Sequence, residues 1–199
     1  IVNLDLPTFI KTIGYIGVCL IIFVESGLFF GLFLPGDTLL FTAGLLASQG
    51  YFNLSLLIFL VSISAILGDQ VGYYFGYKLG PKIFSKEDSF FFKKKYINDT
   101  EVFYAKHGKK AIIIARYVPI IRTFVPIMAG VGKMHYRTFV LYNIVGGVLW
   151  GTGVTLLGYF LGQRIPNIDK YLLPILFLII IVSMIPTIST IVKEKRQKK

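Results

Sequence analysis

The chain has 199 residues, of which 55% are hydrophobic and 16% are charged, and its mean hydropathy is +0.71. A soluble domain cannot bury that much apolar surface, so the composition excludes an ordinary soluble protein and predicts a polytopic membrane protein. The formal net charge is +11. Its basic residues lie in a few clusters, which is typical of the positive-inside rule and not of a nucleic-acid surface.

The first hydrophobic stretch, 12–68, is interrupted by only two charges, Glu25 and Asp37. The pair Pro35-Gly36 immediately precedes Asp37 and predicts a break in the helix. Broken helix at membrane depth is tolerated where protein encloses it or where it lines a cavity. We therefore expect a re-entrant hairpin over 12–47, entering from the outer face, and a membrane span over 52–77.

Nine lysines follow between Lys78 and Lys110, which places this part of the chain in the cytoplasm. Within it, 85–108 is predicted to be a cytoplasmic or interfacial segment. An amphipathic helix on the membrane surface and an ordinary loop both remain open there. The next apolar segment, 111–131, leaves the cytoplasm and must return to it. Because it contains Pro119, we expect a second re-entrant hairpin.

Two further segments, 138–163 and 171–192, contain no charged residue. Each exceeds the roughly 20 residues that cross a bilayer core of about 30 Å, so both are predicted spans. The basic tail 193–199 is expected in the cytoplasm. The predicted fold is an all-α polytopic membrane protein with two re-entrant helical hairpins and about three transmembrane helices.

An internal repeat relates the two halves at a fixed offset of 86 residues. Ala43-Gly44 matches Ala129-Gly130, and the Gly-Tyr-Tyr-x-Gly sequence at 72–76 matches the Gly-Tyr-Phe-x-Gly sequence at 158–162. The first copy is expected to enter from outside and the second from inside. That is an inverted-topology repeat, an arrangement in which transporters place substrate near the midplane between discontinuous helices.

Four charges lie beside the predicted breaks: Glu25 and Asp37 in the first hairpin, and Arg116 and Arg122 in the second. An ionised side chain at bilayer depth costs at least about 2.5 kcal/mol and normally faces a partner or a polar cavity. Taken singly, each charge has a plainer explanation: a neutral buried acid, a helix cap, or arginines that snorkel to the surface. Taken together, they predict a buried charged site. The guanidinium fork suits a phosphate group.

Three other polar residues are weaker candidates. Asp69 is the only charge in its span and is expected to pair locally, while Asn143 and Trp150 fit packing or interhelical hydrogen bonds. Neither His107 nor His135 has metal-ligand spacing to a cysteine or an acid. The sequence therefore predicts no metal and no cofactor.

These motifs resemble the DedA family, also called the VTT or SNARE-associated Golgi-protein family. In the first half the matching residues are Glu25, Pro35-Gly36-Asp37, Ala43-Gly44, Gly68-Asp69 and Gly72-Tyr73. In the second half they are Ala115-Arg116-Tyr117-Val118-Pro119-Ile120-Ile121-Arg122, Ala129-Gly130, Asn143 and Trp150. The resemblance covers nearly the whole chain.

The resemblance implies lipid translocation, with proton dependence at Glu25 and Asp37 and phosphate binding at Arg116 and Arg122. We expect a non-enzymatic transporter in the bacterial cytoplasmic membrane that returns undecaprenyl phosphate to the inner leaflet. The expected partners are the lipid phosphate, protons and the bilayer, without nucleic acid, and a homo-oligomer stays open. Alternatives are a translocase for a glycerophospholipid such as phosphatidylethanolamine, a proton or ion antiporter, and a membrane lipid phosphatase.

Overall fold

The computed structural model describes residues 6–27, 36–83, 108–117 and 119–164, and every regular element within these ranges is helical. The helices are α1 (Leu6–Gly27), α2 (Gly36–Ser48), α3 (Leu54–Ile83), α4 (Ala111–Ala115), α5 (Pro119–Val131) and α6 (Tyr136–Arg164), with a 3-10 turn at Gly108–Lys110. The predicted all-α fold class is confirmed. The predicted span 171–192, the tail 193–199 and nearly all of the segment 85–108 lie outside the described residues.

Within the described ranges, three helices are long and apolar enough to cross a membrane: α1, α3 as far as Lys78, and α6. The last two agree with the spans predicted at 52–77 and 138–163. Apolar side chains on both helices are more than half exposed, among them Phe59, Leu67, Leu141 and Leu157. Large exposed apolar surfaces of this kind mark contact with a membrane or a partner.

The hairpin predicted over 12–47 corresponds to α1 and α2, with 28–35 outside the described residues. Helix α1 breaks at Gly14, whose φ of 58° belongs to the left-handed region that glycine enters freely. Helices α2 and α5 have 13 residues each. Each rises only about 20 Å, less than the roughly 30 Å of a bilayer core. These lengths suit half-helices, and the re-entrant path itself stays a prediction.

Helix α2 is buried all the way round, from Thr38 to Ala47. A helix that is apolar and buried on every side belongs to the interior of a bundle, where protein and not lipid covers it. It packs against α6, and α5 packs against α3 in the same way. Each short helix therefore lies on the long helix of the opposite half.

The sequence repeat is visible in these contacts. Gly158 of α6 lies against the backbone of Phe41 in α2, and Gly76 of α3 lies against the backbone of Ile127 in α5. Phe41 and Ile127 are related by the same offset of 86 residues, whereas Gly76 and Gly158 are 82 residues apart, about one helical turn short of it. Small residues let helix backbones approach closely in membrane proteins, so the two halves use the same device.

The two long helices run antiparallel. Asn143 near the start of α6 bonds to Ile66 of α3, while Gly151, farther along α6, faces Ser62, which comes earlier in α3. Two matched halves with antiparallel long helices have the arrangement that an inverted repeat requires.

Candidate functional site

The first turns of the two short helices meet inside the bundle. Asp37 is the second residue of α2, and Arg122 is the fourth residue of α5. The Nη1 of Arg122 donates a hydrogen bond to Oδ1 of Asp37 at 3.0 Å. Helix N-termini carry unpaired N–H groups and the positive end of the helix dipole, so this junction favours negative charge.

Glu25 reaches the same guanidinium from α1. Its Oε1 forms an ion pair with Nη2 of Arg122, and the residue is only 1% exposed. The contact lacks hydrogen-bond geometry, and Oε2 has no hydrogen-bond partner among the described residues. A Cβ on Gly36 would overlap this carboxyl group, so a larger residue at the start of α2 would displace the Glu25 side chain. Arg122 is thus held between two carboxylates.

Trp150 of α6 contacts both Asp37 and Arg122. Its indole Nε1 donates to Oδ1 of Asp37 at 2.9 Å, and its ring lies 5.3 Å from Cζ of Arg122. A guanidinium within about 6 Å of an indole ring gains a cation–π attraction. Trp150 therefore orients both partners, and its bond to Asp37 is an interhelical hydrogen bond of the kind that the sequence indicated.

Arg116 has different partners. Its Nη2 contacts Oδ2 of Asp69 and donates to Oδ1 of Asn143 at 2.6 Å. The Nδ2 of Asn143 in turn donates to the carbonyl oxygen of Ile66 at 3.0 Å. Gly146 leaves room for this side chain, since a Cβ there would lie 3.1 Å from Cδ and 3.2 Å from Nε of Arg116. Arg116 is thus tied to α3 and α6 at once.

The four charges singled out in the sequence therefore fall into two centres. The Arg122 centre consists of Arg122, Glu25, Asp37 and Trp150, and the Arg116 centre consists of Arg116, Asp69 and Asn143. Asn143 and Trp150 are seven residues apart on α6, which is about two turns or 10 Å along the helix. Glu25 and Asp37 contact Arg122, and it is Asp69 that contacts Arg116.

Asp69 and Asn143 were secondary candidates in the sequence and are direct partners of Arg116 in the structure. Trp150 was not selected as a site residue. Its spacing of seven residues from Asn143 puts the two on one face of α6, and that signal was available in the sequence. His107 lies outside the described residues and His135 is exposed in the turn before α6. No group of three potential metal ligands occurs within the ranges that the structure describes.

Long apolar helices around a buried network of ion pairs define a polytopic membrane protein with a charged internal site. The model of the VTT domain matches residues 34–160. The chain belongs to this family, the DedA family of membrane proteins that its motifs indicated.

Several relatives align over most of their length. The chain is 46% identical over 179 residues to Protein DedA of Escherichia coli, covering 89% of this chain and 81% of that protein. It is 45% identical over 185 residues to the uncharacterized membrane protein Rv0364 of Mycobacterium tuberculosis, covering 92% and 81%. The inner membrane protein YqjA of E. coli is 33% identical over 157 residues, covering 79% and 71%. No solved structure matches the chain.

Proposed function

We propose that this protein is a lipid transporter of the bacterial cytoplasmic membrane that returns undecaprenyl phosphate from the outer to the inner leaflet without chemical conversion. Membership of the VTT-domain family supports a membrane function, and one relative is named an inner membrane protein. One observation carries the proposal. Arg122 lies where the first turns of two half-helices meet, paired with two carboxylates from separate helices.

A phosphate group fits this junction for two reasons. The guanidinium fork matches phosphate oxygens in a bidentate manner. The positive ends of α2 and α5 add N–H groups and dipoles that favour an anion. Transporters built from inverted repeats place discontinuous helix N-termini against anionic substrate groups in the same way.

Protons would let the phosphate replace the acids. The described network contains three carboxyl groups, from Glu25, Asp37 and Asp69, and two guanidinium groups, so it is formally neutral when one carboxyl carries a proton. Protonation of Glu25 would weaken its hold on Arg122 and release the guanidinium to an incoming phosphate. Protons and phosphate would thus favour the same state of the site, which couples their binding.

The proposed path needs two re-entrant hairpins and a cytoplasmic C-terminus. With Cys19 replaced, single cysteines at Lys110 and Lys133 should both react with an impermeant reagent from the cytoplasmic face, because the second hairpin returns to its own side. A cysteine at Tyr51 should react only from the opposite face. Labelling of positions 110 and 133 on opposite faces would contradict the hairpin.

Lipid identity and flux test the function directly. Mass spectrometry of the purified protein should find a co-purifying polyprenyl phosphate, and proteoliposomes should move undecaprenyl phosphate between leaflets. Gly153→Ala is a suitable matched control, because a Cβ there meets nothing within 4 Å. Flux of phosphatidylethanolamine alone would reassign the cargo. Ion flux without lipid flux would indicate an antiporter, and release of inorganic phosphate would indicate a phosphatase.

A further inference from the structure

A cavity lies away from both arginine centres, where the C-terminal half of α3 meets the turn before α6. Its volume is about 740 Å³, and it is lined by residues of α3 between 70 and 77, by the turn between α5 and α6, and by the first residue of α6. Cavities of roughly 300–1,000 Å³ are typical of small-ligand sites. We call it the tyrosine pocket, after Tyr73, Tyr74, Tyr77 and Tyr136 in its wall.

Hydrogen bonds and ring contacts hold the pocket open in one shape. The hydroxyl of Tyr73 donates to the carbonyl oxygen of Met134 at 2.6 Å, and that of Tyr136 donates to Oε1 of Gln70 at 2.8 Å. The Tyr73 ring stacks on Phe139 with centroids 4.5 Å apart. Interfacial tyrosines are common in membrane proteins. Here four of them line one cavity, and the hydroxyl groups of Tyr73 and Tyr136 are hydrogen-bonded to other residues of its wall.

Lys133 provides positive charge in the pocket wall, and its backbone adopts a conformation that is unfavourable for residues other than glycine. Its φ is 50°, and it is the one residue other than glycine with positive φ within the described ranges. Helix α5 ends in a Schellman motif, in which Lys133 N–H bonds to Gly130 and Met134 N–H bonds to Ala129. Glycine is the usual residue at this left-handed position, yet here lysine occupies it and Gly132 is the residue before. A backbone outlier retained beside a cavity points to a role in binding.

The pocket and the Arg116 centre share helix α3. Gln70 lines the pocket, and the preceding residue is Asp69, the partner of Arg116. Lys133 and His135, both exposed, lie in the wall of the pocket. Positive charge and tyrosine hydroxyls suit an anionic phosphate, while the exposed tyrosine rings suit the first carbons of a lipid tail.

We propose that the tyrosine pocket binds the phosphate head group of an anionic lipid at the basic end of the bundle, as a binding site separate from the arginine centres. Which lipid occupies it rests on the proposed function, since the transported lipid would enter or leave here. The bound chemistry is a phosphate carried on a lipid, with Lys133 as its cation.

Photolabelling of the full-length protein in nanodiscs tests this proposal. The probe is a phosphatidic acid with a diazirine near its head group, and labelled peptides are mapped by mass spectrometry. Wild type should be labelled within 70–77 and 133–136. In the Lys133→Gly variant this labelling should fall about tenfold, the effect on affinity that the loss of one charge-assisted hydrogen bond would have. Lys133→Arg should retain it.

Controls separate binding from folding. Lys133→Gly relieves the backbone, so its melting temperature should equal or exceed that of wild type. A lower melting temperature would show that Lys133 is structural and overturn the proposal. Lys133→Asn, which also tolerates the left-handed conformation, should lose labelling as the glycine variant does, and unchanged labelling in both variants would equally overturn it. Lys11→Ala, which removes a lysine stacked on Tyr51 at the other end of the bundle, should label as wild type does.

Competing lipids and phosphate identify the source of the head group. Unlabelled phosphatidic acid should compete, and phosphatidylcholine should not. Equal competition by phosphatidylcholine, or competition by inorganic phosphate as strong as that by phosphatidic acid, would contradict a lipid-phosphate site. If the pocket is labelled but the protein moves no lipid, the proposed function fails and the pocket stands. If lipid moves and the pocket is unlabelled, the reverse holds.

Discussion

The two arginine centres differ in how tightly they are closed. At the Arg116 centre both members of the ion pair are 6% exposed, and Asn143 fastens the pair to the backbone of α3. At the Arg122 centre the arginine side chain is 14% exposed and Asp37 is 25% exposed. Among the described residues, Arg122 pairs with two carboxylates, whereas Arg116 pairs with one.

The difference suggests a division of labour. Arg116 is paired with one carboxylate and with an amide that is itself hydrogen-bonded to α3. It gains little by exchanging partners, because separation would leave an uncompensated charge in a dry environment. A charge shared by two carboxylates at facing helix ends can lose one and stay paired with the other. On the proposed function, we therefore expect Arg122 to make the exchangeable phosphate contact and Arg116 mainly to join α3 and α6.

The sharpest test of this comparison removes one carboxylate from each centre. Asp69→Ala should destabilise the protein by about 3–5 kcal/mol, because it leaves Arg116 buried and unpaired. Asp37→Ala should cost only about 1–2 kcal/mol, since Glu25 still pairs with Arg122. Unfolding in mixed micelles measures both. The double variant Asp69→Ala/Arg116→Met should recover most of the stability that Asp69→Ala loses. Equal losses of stability in Asp69→Ala and Asp37→Ala would contradict the difference between the two centres.

Gly36→Ala tests the packing that holds Glu25 against Arg122. A Cβ there overlaps the Glu25 carboxyl group, so we expect a loss of about 1–3 kcal/mol from overpacking, together with weaker lipid flux. Gly153→Ala, in open space on α6, should be neutral or gain up to about 1 kcal/mol from helix propensity. Identical melting temperatures for the two alanine variants would show that the carboxyl group moves aside freely.

Arginine-to-lysine changes compare the centres by activity. An ammonium group cannot reproduce bidentate contact, so both Arg116→Lys and Arg122→Lys should function poorly. For Arg122→Lys we expect flux to fall about tenfold or more with little loss of stability, and for Arg116→Lys we expect both to fall. Flux assays paired with melting curves separate these outcomes, with exposed Arg164→Lys as control. Full complementation of a transport-deficient strain by both variants would indicate that a positive charge alone is sufficient at both positions.

The smallest structural change concerns the acids around Arg122. Glu25→Gln and Asp37→Asn keep the shape of the protonated side chain, so each variant should fold and bind lipid as wild type does. Each should lose the dependence of lipid flux on an imposed pH gradient, because the group that takes up the proton is gone. Parallel flux curves in proteoliposomes across several gradients measure this. A wild-type response in both variants would make the acids structural and move proton coupling to Asp69.

The amino-acid sequence by itself determined the membrane class, two of the three candidate spans and the four charges beside the predicted breaks. These follow from hydropathy and from proline and glycine positions, which depend on residues close together in the chain. The repeat offset of 86 residues also indicated that the two halves would match, and Phe41 and Ile127, which are related by that offset, each lie against a glycine of the opposite half.

Only the tertiary structure decided which charges meet. Arg116 and Arg122 are six residues apart, but a turn and the start of a new helix separate them, so their side chains reach different neighbours. Asp69 and Asn143 gained their roles because α3 and α6 cross antiparallel at close range, and Trp150 gained its role because α2 packs against α6. Lys133 faces a cavity because α5 ends in a left-handed turn there. Partners of buried charges depend on helix crossings set by small residues distant in sequence, and no local pattern encodes those crossings.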